Sequence, residues 1–250
     1  MLFGGIFRLR HIATKVAVAA LGRGSRSLRN AIVCLTVILP ASFPMIASAW
    51  EPLAKNTRTI MIYGDSLSAS YGIDPRRGWV SLLQEKLKSE GVNVVNASVS
   101  GETTSGGLAR IGNDLKNIRP TIVVIELGAN DGLRGLKIAD MQQNLQAIIA
   151  KNLAAKVKVI LVGVQIPPNY GLDYAQQFRE IYPTLATKNK VILVPFLLEG
   201  FADKLELFQA DRVHPTAAAQ PTILENMLPA IRQAMGKTLN AKPQKAVSKQ

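Results

Sequence analysis

Thr59-Ile60-Met61-Ile62-Tyr63 runs directly into Gly64-Asp65-Ser66-Leu67-Ser68. A short apolar run rich in β-branched residues reads as a strand buried on both faces. The Gly-Asp-Ser that follows places a serine at the C-terminal end of that strand. Four further runs have the same character, at 92–97, 121–127, 157–164 and 191–194, beside the first at 57–63. Helical patterns separate them. Trp79, Leu82, Leu83 and Leu87 share one face, as do Leu108, Ile111, Leu115 and Ile118. Met141, Leu145, Ile148, Ile149 and Leu153 form a third face, and Ile223, Met227, Ile231 and Met235 a fourth. Strands alternating with helices imply βαβ units, hence an α/β fold with a five-stranded parallel sheet covered on both faces. Reacting groups of such sheets sit on the loops at the strand C-terminal ends. Ser66 lies on the first of those loops.

The ends of the chain bear on charge and compartment. Residues 1–49 hold six basic residues and no acid, then an apolar run and Ala47-Ser48-Ala49, a small-x-small cleavage pattern. That order predicts a signal peptide over 1–49. Its apolar stretch is broken by Pro40 and Pro44 and is shorter than the roughly 20 residues a spanning helix needs. The expectation is a periplasmic or secreted protein with no stable membrane insertion after cleavage. The domain is expected over 50–235, followed by a disordered basic tail over 236–250. The net charge of +13 is concentrated in those ends. The leader carries six positive charges and the tail four lysines, which leaves about +3 for the domain. The basic isoelectric point is therefore no argument for nucleic-acid binding. The single cysteine, Cys34, lies in the leader, so the mature chain is expected to have no disulfide and no thiol chemistry.

The candidate groups fall on five loops. A serine hydroxyl is a weak nucleophile until a base takes its proton. The chain has two histidines, His11 in the leader and His214, so His214 is the one imidazole expected in the mature protein. Asp211 stands three residues before it, where its carboxylate can accept from Nδ1–H and leave Nε2 to face Ser66. Pro215 is expected to open a helix there. Each residue also has a plainer reading: Asp65-Ser66 as a helix cap, His214 as a surface cap, Asp211 as a helix N-terminal acid. Asn130 in Gly128-Ala129-Asn130-Asp131-Gly132 and Gly101 after the second strand are candidate oxyanion donors, although the Asn130 segment also suits a simple turn. Glu102 and Asp131 are expected to fix loops. In the expected mature chain, metal binding is disfavoured by one histidine and no cysteine, and no phosphate loop is present, so no cofactor is expected.

Together these blocks resemble the SGNH/GDSL hydrolase family. The resemblance rests on Gly64-Asp65-Ser66-Leu67-Ser68-Ala69, on Val95 to Thr103 around Gly101, on Glu126 to Gly135 around Asn130, on Pro168-Asn169-Tyr170-Gly171 and Ile181-Tyr182-Pro183, and on His214. It implies a three-layer α/β/α flavodoxin-like fold and a Ser66-His214-Asp211 triad. It also implies an oxyanion hole from Ser66 N–H, Gly101 N–H and the Asn130 side chain. A mobile loop over 132–137, including Leu133, would flank the acyl group, with Ile166 and Pro167 beside its chain. The implied activity is that of a monomeric esterase or thioesterase acting on small-molecule substrates: acyl-CoA, lysophospholipid, aryl or short-to-medium-chain esters. An arylesterase or carbohydrate acetylesterase of the same fold is the alternative, and a non-catalytic binding module a further one. Ala129 stands where relatives of this kind often have glycine, and little effect is expected from the extra methyl.

Overall fold

The computed structural model describes residues 58–166 and 168–236. The leader, Pro167 and the lysines beyond Gly236 lie outside the described residues. Five strands form the sheet: β1 Arg58–Gly64, β2 Val92–Asn96, β3 Ile122–Glu126, β4 Lys158–Val162 and β5 Ile192–Val194. All neighbours are parallel, in the order β2-β1-β3-β4-β5. The apolar runs become strands because both faces are covered. On β1, Ile60 and Ile62 point into one core and Met61 and Tyr63 into the other. All four are fully buried.

Helices α1 Trp79–Leu87 and α6 Gln220–Ala234 cover the first face. Helices α2 Thr104–Ile118, α4 Ile138–Ala154 and α5 Leu172–Asn189 cover the second. The five-residue α3, Ala129–Leu133, follows β3 directly. The result is the expected three-layer α/β/α arrangement. Helix α5 was not anticipated. Its buried face, Phe178, Ile181, Tyr182, Leu185 and Ala186, has good helical spacing, but the rest is polar and Pro183 lies inside it. A second difference is at the last helix. It starts at Gln220 with Pro221 in its first turn, five residues beyond the expected Pro215. Pro215 instead pairs with Phe208 in an antiparallel bridge.

Chain direction across the sheet reverses at β1. From β1 the chain moves out to β2, and then returns past β1 to β3. Loops leaving β1 and β3 therefore diverge, and the crevice between them is where open α/β sheets bind ligands. Ser66, after β1, and Asn130, after β3, together form the wall of that crevice built on the sheet, and the chain after β5 forms the wall facing them.

Candidate active site

The turn after β1 is built on buried carboxyls. Asp65 is fully buried, and its Oδ1 accepts the Leu67 N–H at 3.0 Å. Ala69 and Tyr71 donate back to the Asp65 and Ser66 carbonyls, giving successive turns rather than the expected capped helix. Gly64 is needed for space. A Cβ there would sit 2.6 Å from Glu126 Oε2 and 2.9 Å from the Ser68 hydroxyl. Glu126, at the end of β3, is fully buried and accepts the Ser68 hydroxyl at 2.7 Å and, more weakly, the Asp65 N–H at 3.4 Å. Burial pushes Asp65 up to about 6. Burial, and then the nearby Asp65 charge, hold Glu126 well above the usual carboxylate range. A glutamate in an apolar strand carried no sequence signal of this pairing beyond its being a charge in a buried run.

Ser66, His214 and Asp211 meet across the mouth of the crevice. His214 Nε2 lies 2.8 Å from Ser66 Oγ, and His214 Nδ1 lies 2.7 Å from Asp211 Oδ2. Asp211 Oδ1 accepts the N–H groups of Val213, at 2.9 Å, and His214, at 3.0 Å. Those two bonds explain why the three-residue spacing works: the carboxylate closes its own turn and thereby aims itself at Nδ1. The His214 N–H foremost, with the Val213 N–H and the imidazole, holds the Asp211 carboxyl down at about 2. The Tyr71 ring lies against the imidazole, with centroids 4.5 Å apart. Asp211 is nine residues ahead of α6, so it is not a helix N-terminal acid.

On the opposite wall stand three potential donors. Among the described residues, the Ser66 and Gly101 backbone N–H groups have no acceptor. Gly101 has φ +78°, a conformation that favours glycine. The Asn130 amide is already engaged, donating to Asp65 Oδ2 at 3.1 Å and to the Glu102 carbonyl at 3.0 Å. An oxygen entering the site would share one of those hydrogens. Asp131 and Glu102 hold loops, as expected. Asp131 accepts from the Thr104 N–H at 2.9 Å and hydroxyl at 2.6 Å, tying the start of α2 to α3. Glu102 pairs with Arg110 at 2.6 Å. Among the described residues, no three His, Cys, Asp or Glu side chains are grouped to hold a metal ion.

A cavity of about 370 Å³ opens beside Ser66, Asn130 and His214. Leu133 and Ile166 line it as expected, while Pro167 lies outside the described residues. Its far wall was not anticipated: Phe196, Leu197, Leu198 and Ala202 after β5, then Phe208 and Val213. The 132–137 loop is fastened at several points. The Leu136 N–H donates to the Asp131 carbonyl at 2.9 Å, and the Leu136 carbonyl accepts the Tyr174 hydroxyl at 2.9 Å.

The family model for GDSL-like lipases and acylhydrolases matches residues 62–220, which span the serine turn, the Asn130 loop and the histidine turn. The chain belongs to that family. As a GDSL-family member it is a hydrolase of ester bonds. It is 49% identical over 177 residues to Esterase TesA of Pseudomonas aeruginosa, covering 70% of this chain and 88% of that protein. It is 42% identical over 169 residues to the Thioesterase 1/protease 1/lysophospholipase L1 of Escherichia coli, covering 68% and 81%. Among solved structures, it resembles the psychrotrophic esterase EstA from Pseudoalteromonas sp., in a form inhibited by monoethylphosphonate. There the TM-score is 0.68 and the identity 42%, over 72% of this chain and all of that one.

Proposed function

We propose that this GDSL-family enzyme is an exported, monomeric serine esterase and thioesterase working through an acyl-serine intermediate. The observation that carries the reading is the unbroken relay of 2.8 Å from Ser66 Oγ to His214 Nε2 and 2.7 Å from Nδ1 to Asp211. As Oγ attacks the substrate carbonyl, His214 Nε2 takes its proton, and Asp211 stabilises the imidazolium that forms. The Ser66 and Gly101 N–H groups and the Asn130 amide receive the developing oxyanion. Collapse of the tetrahedral intermediate breaks the C–O or C–S bond. The leaving oxygen or sulfur keeps the electron pair and takes the proton from His214. Water then attacks the acyl-serine with His214 as base, releasing the acid and restoring Ser66. These groups complete the reaction without a cofactor.

The acyl chain lies along Leu133 and Ile166, with Pro167 next in the chain. An apolar cavity supports acyl chains over acetylated sugars, which would leave polar hydroxyls unpaired there. Export rests on the basic, apolar and small-x-small order of residues 1–49; N-terminal sequencing of the exported protein should recover Trp50 or a neighbour. The phosphonate inhibition of the EstA relative supports a serine nucleophile here. The test is labelling with a fluorophosphonate. The natural enzyme should gain one adduct on Ser66 by mass spectrometry, and Ser66→Ala should gain none and lose turnover by roughly 10⁴-fold or more. An adduct or steady acyl-enzyme in Ser66→Ala points to another nucleophile. A series of p-nitrophenyl esters of rising chain length, run beside acyl-CoA and acetylated sugars, separates the thioesterase reading from arylesterase and deacetylase.

A further inference from the structure

Among the described residues, five that are not glycine have left-handed backbone: Ser70, Arg119, Lys156, Lys190 and Arg212. Arg119 and Lys190 are helix C-caps, and Lys156 follows the end of α4, where that conformation is ordinary. Ser70 and Arg212 are not at helix ends. They stand on the serine and histidine turns. Arg212, at φ +57°, lies between Asp211 and His214, where glycine or asparagine would fit without steric cost. It is exposed, lines the cavity beside Ser66 and His214, and its guanidinium has no partner among the described residues. A strained, unpartnered cation two residues from the base is a candidate for recognition rather than for folding.

Chemistry fixes which part of the substrate such a cation meets. His214 must hand its proton to the leaving atom, so the leaving group departs on the side of the histidine turn, where Arg212 stands. The arginine side chain reaches about 6–7 Å from Cα to guanidinium by ordinary bond lengths. A glycerophosphate leaving group carries its phosphorus about 6 Å from the ester oxygen on the same basis, within that reach. The pyrophosphate of coenzyme A begins about 15 Å from the sulfur and is out of range.

Resting on the proposed esterase reading, we infer that Arg212 is a specificity-determining residue that binds the phosphate of a glycerophosphate leaving group, favouring phosphate-bearing monoacylglycerols over neutral ones. The planar guanidinium suits a phosphate through paired N–H donors.

The experiment uses matched substrates with one acyl chain, at concentrations below micelle formation. One pair is decanoyl glycerophosphate and decanoylglycerol. The other is decanoyl-CoA and its short neutral thioester, decanoyl-N-acetylcysteamine. The readout is the ratio of kcat/KM within each pair. Arg212→Ala and Arg212→Gly should lower the glycerophosphate-to-glycerol ratio by roughly 3–10-fold, while Arg212→Lys keeps most of it. Raising salt should lower the same ratio in the natural enzyme. The CoA ratio should hold steady. Arg212→Gly also relieves the backbone, so its Tm should be at least that of the natural chain. Equal losses on both members of the first pair overturn the inference, because Arg212 would then act through the histidine turn. No change in either ratio overturns it too, as does a loss confined to the CoA pair. Failure of the esterase reading looks different: Ser66→Ala would retain hydrolysis of all four substrates.

Discussion

The two walls of the crevice are built on different principles. The serine wall hangs on the ends of β1 and β3, and its polar contacts reach fully buried groups, Asp65 and Glu126. The histidine wall is irregular chain after β5, and the Asp211 side chain is 41% exposed. It is held by the Phe208–Pro215 bridge, with the Gln209 N–H on the His214 carbonyl at 2.8 Å, and by the Gln209 side chain donating to the Tyr71 carbonyl at 2.8 Å. One wall is preorganised by the sheet, on the side where the proposed oxyanion forms. The other is irregular chain whose histidine is aimed by a carboxylate that folds its own turn. Geometry on the second wall should therefore be far more sensitive to one substitution.

Asp211→Asn is the sharpest way to break the contrast. It keeps the shape of the turn but presents an amide to Nδ1 and disfavours the productive tautomer, so kcat should fall by roughly 10³–10⁴-fold. The natural carboxyl is depressed to about 2 in the folded chain, below its unfolded value. Its stabilisation of the turn is then present above about pH 4 and lost as pH falls towards 2. Acid-limb inactivation that sets in near neutral pH must come from another group, and pH profiles of kcat/KM for both chains check this. A kcat nearly equal to that of the natural enzyme would mean the turn aims His214 without the charge.

Asn130→Ala tests the serine wall next. kcat should fall by roughly 10²–10³-fold with KM little changed, since the loss falls on the oxyanion. The variant also strips a donor from Asp65 and from the Glu102 carbonyl, so Tm should drop as well. A lowered Tm with kcat per folded molecule unchanged would make Asn130 a turn residue only.

The smallest expected effect comes from the buried carboxyls. Burial raises both folded values above the unfolded ones, so the folded state binds more protons. Stability from the pair is greatest below about pH 4 and declines as pH rises, for Asp65 through about 6. Glu126→Gln removes one titrating partner. Its Tm relative to the natural chain should rise by a few degrees, of the order that about 1 kcal/mol produces, between pH 4 and pH 8. A constant difference across that range would show that Glu126 does not titrate with folding.

The sheet, the histidine and the donor loops were legible because each is marked locally. Buried strands are continuous apolar runs, and Asp211 with His214 is a three-residue signature that needs only its own turn. What escaped depends on distant parts of the chain. Glu126 gains its meaning from Ser68 and Asp65, some sixty positions away in sequence. The residues from Phe196 to Phe208 have no period, because they line a cavity from irregular backbone. Helix α5 was hidden by its polar outer face and Pro183, although Phe178, Ile181, Tyr182 and Leu185 carried the spacing. The expected helix at Pro215 failed for a related reason: proline suits a helix start, but here its neighbour across the bridge is Phe208.

That bridge also constrains how such an enzyme can change its diet. Phe208 lines the cavity and pairs with Pro215, the residue after the base. On the proposed mechanism, remodelling the pocket at Phe208 is expected to move His214 with it, so that a new acyl preference gained there arrives together with altered turnover. Leu133 and Ile166 face the same cavity from α3 and the loop after β4, clear of that bridge. Substitutions at those two positions let chain-length preference drift while the base stays put, and divergence among close relatives would run through them first.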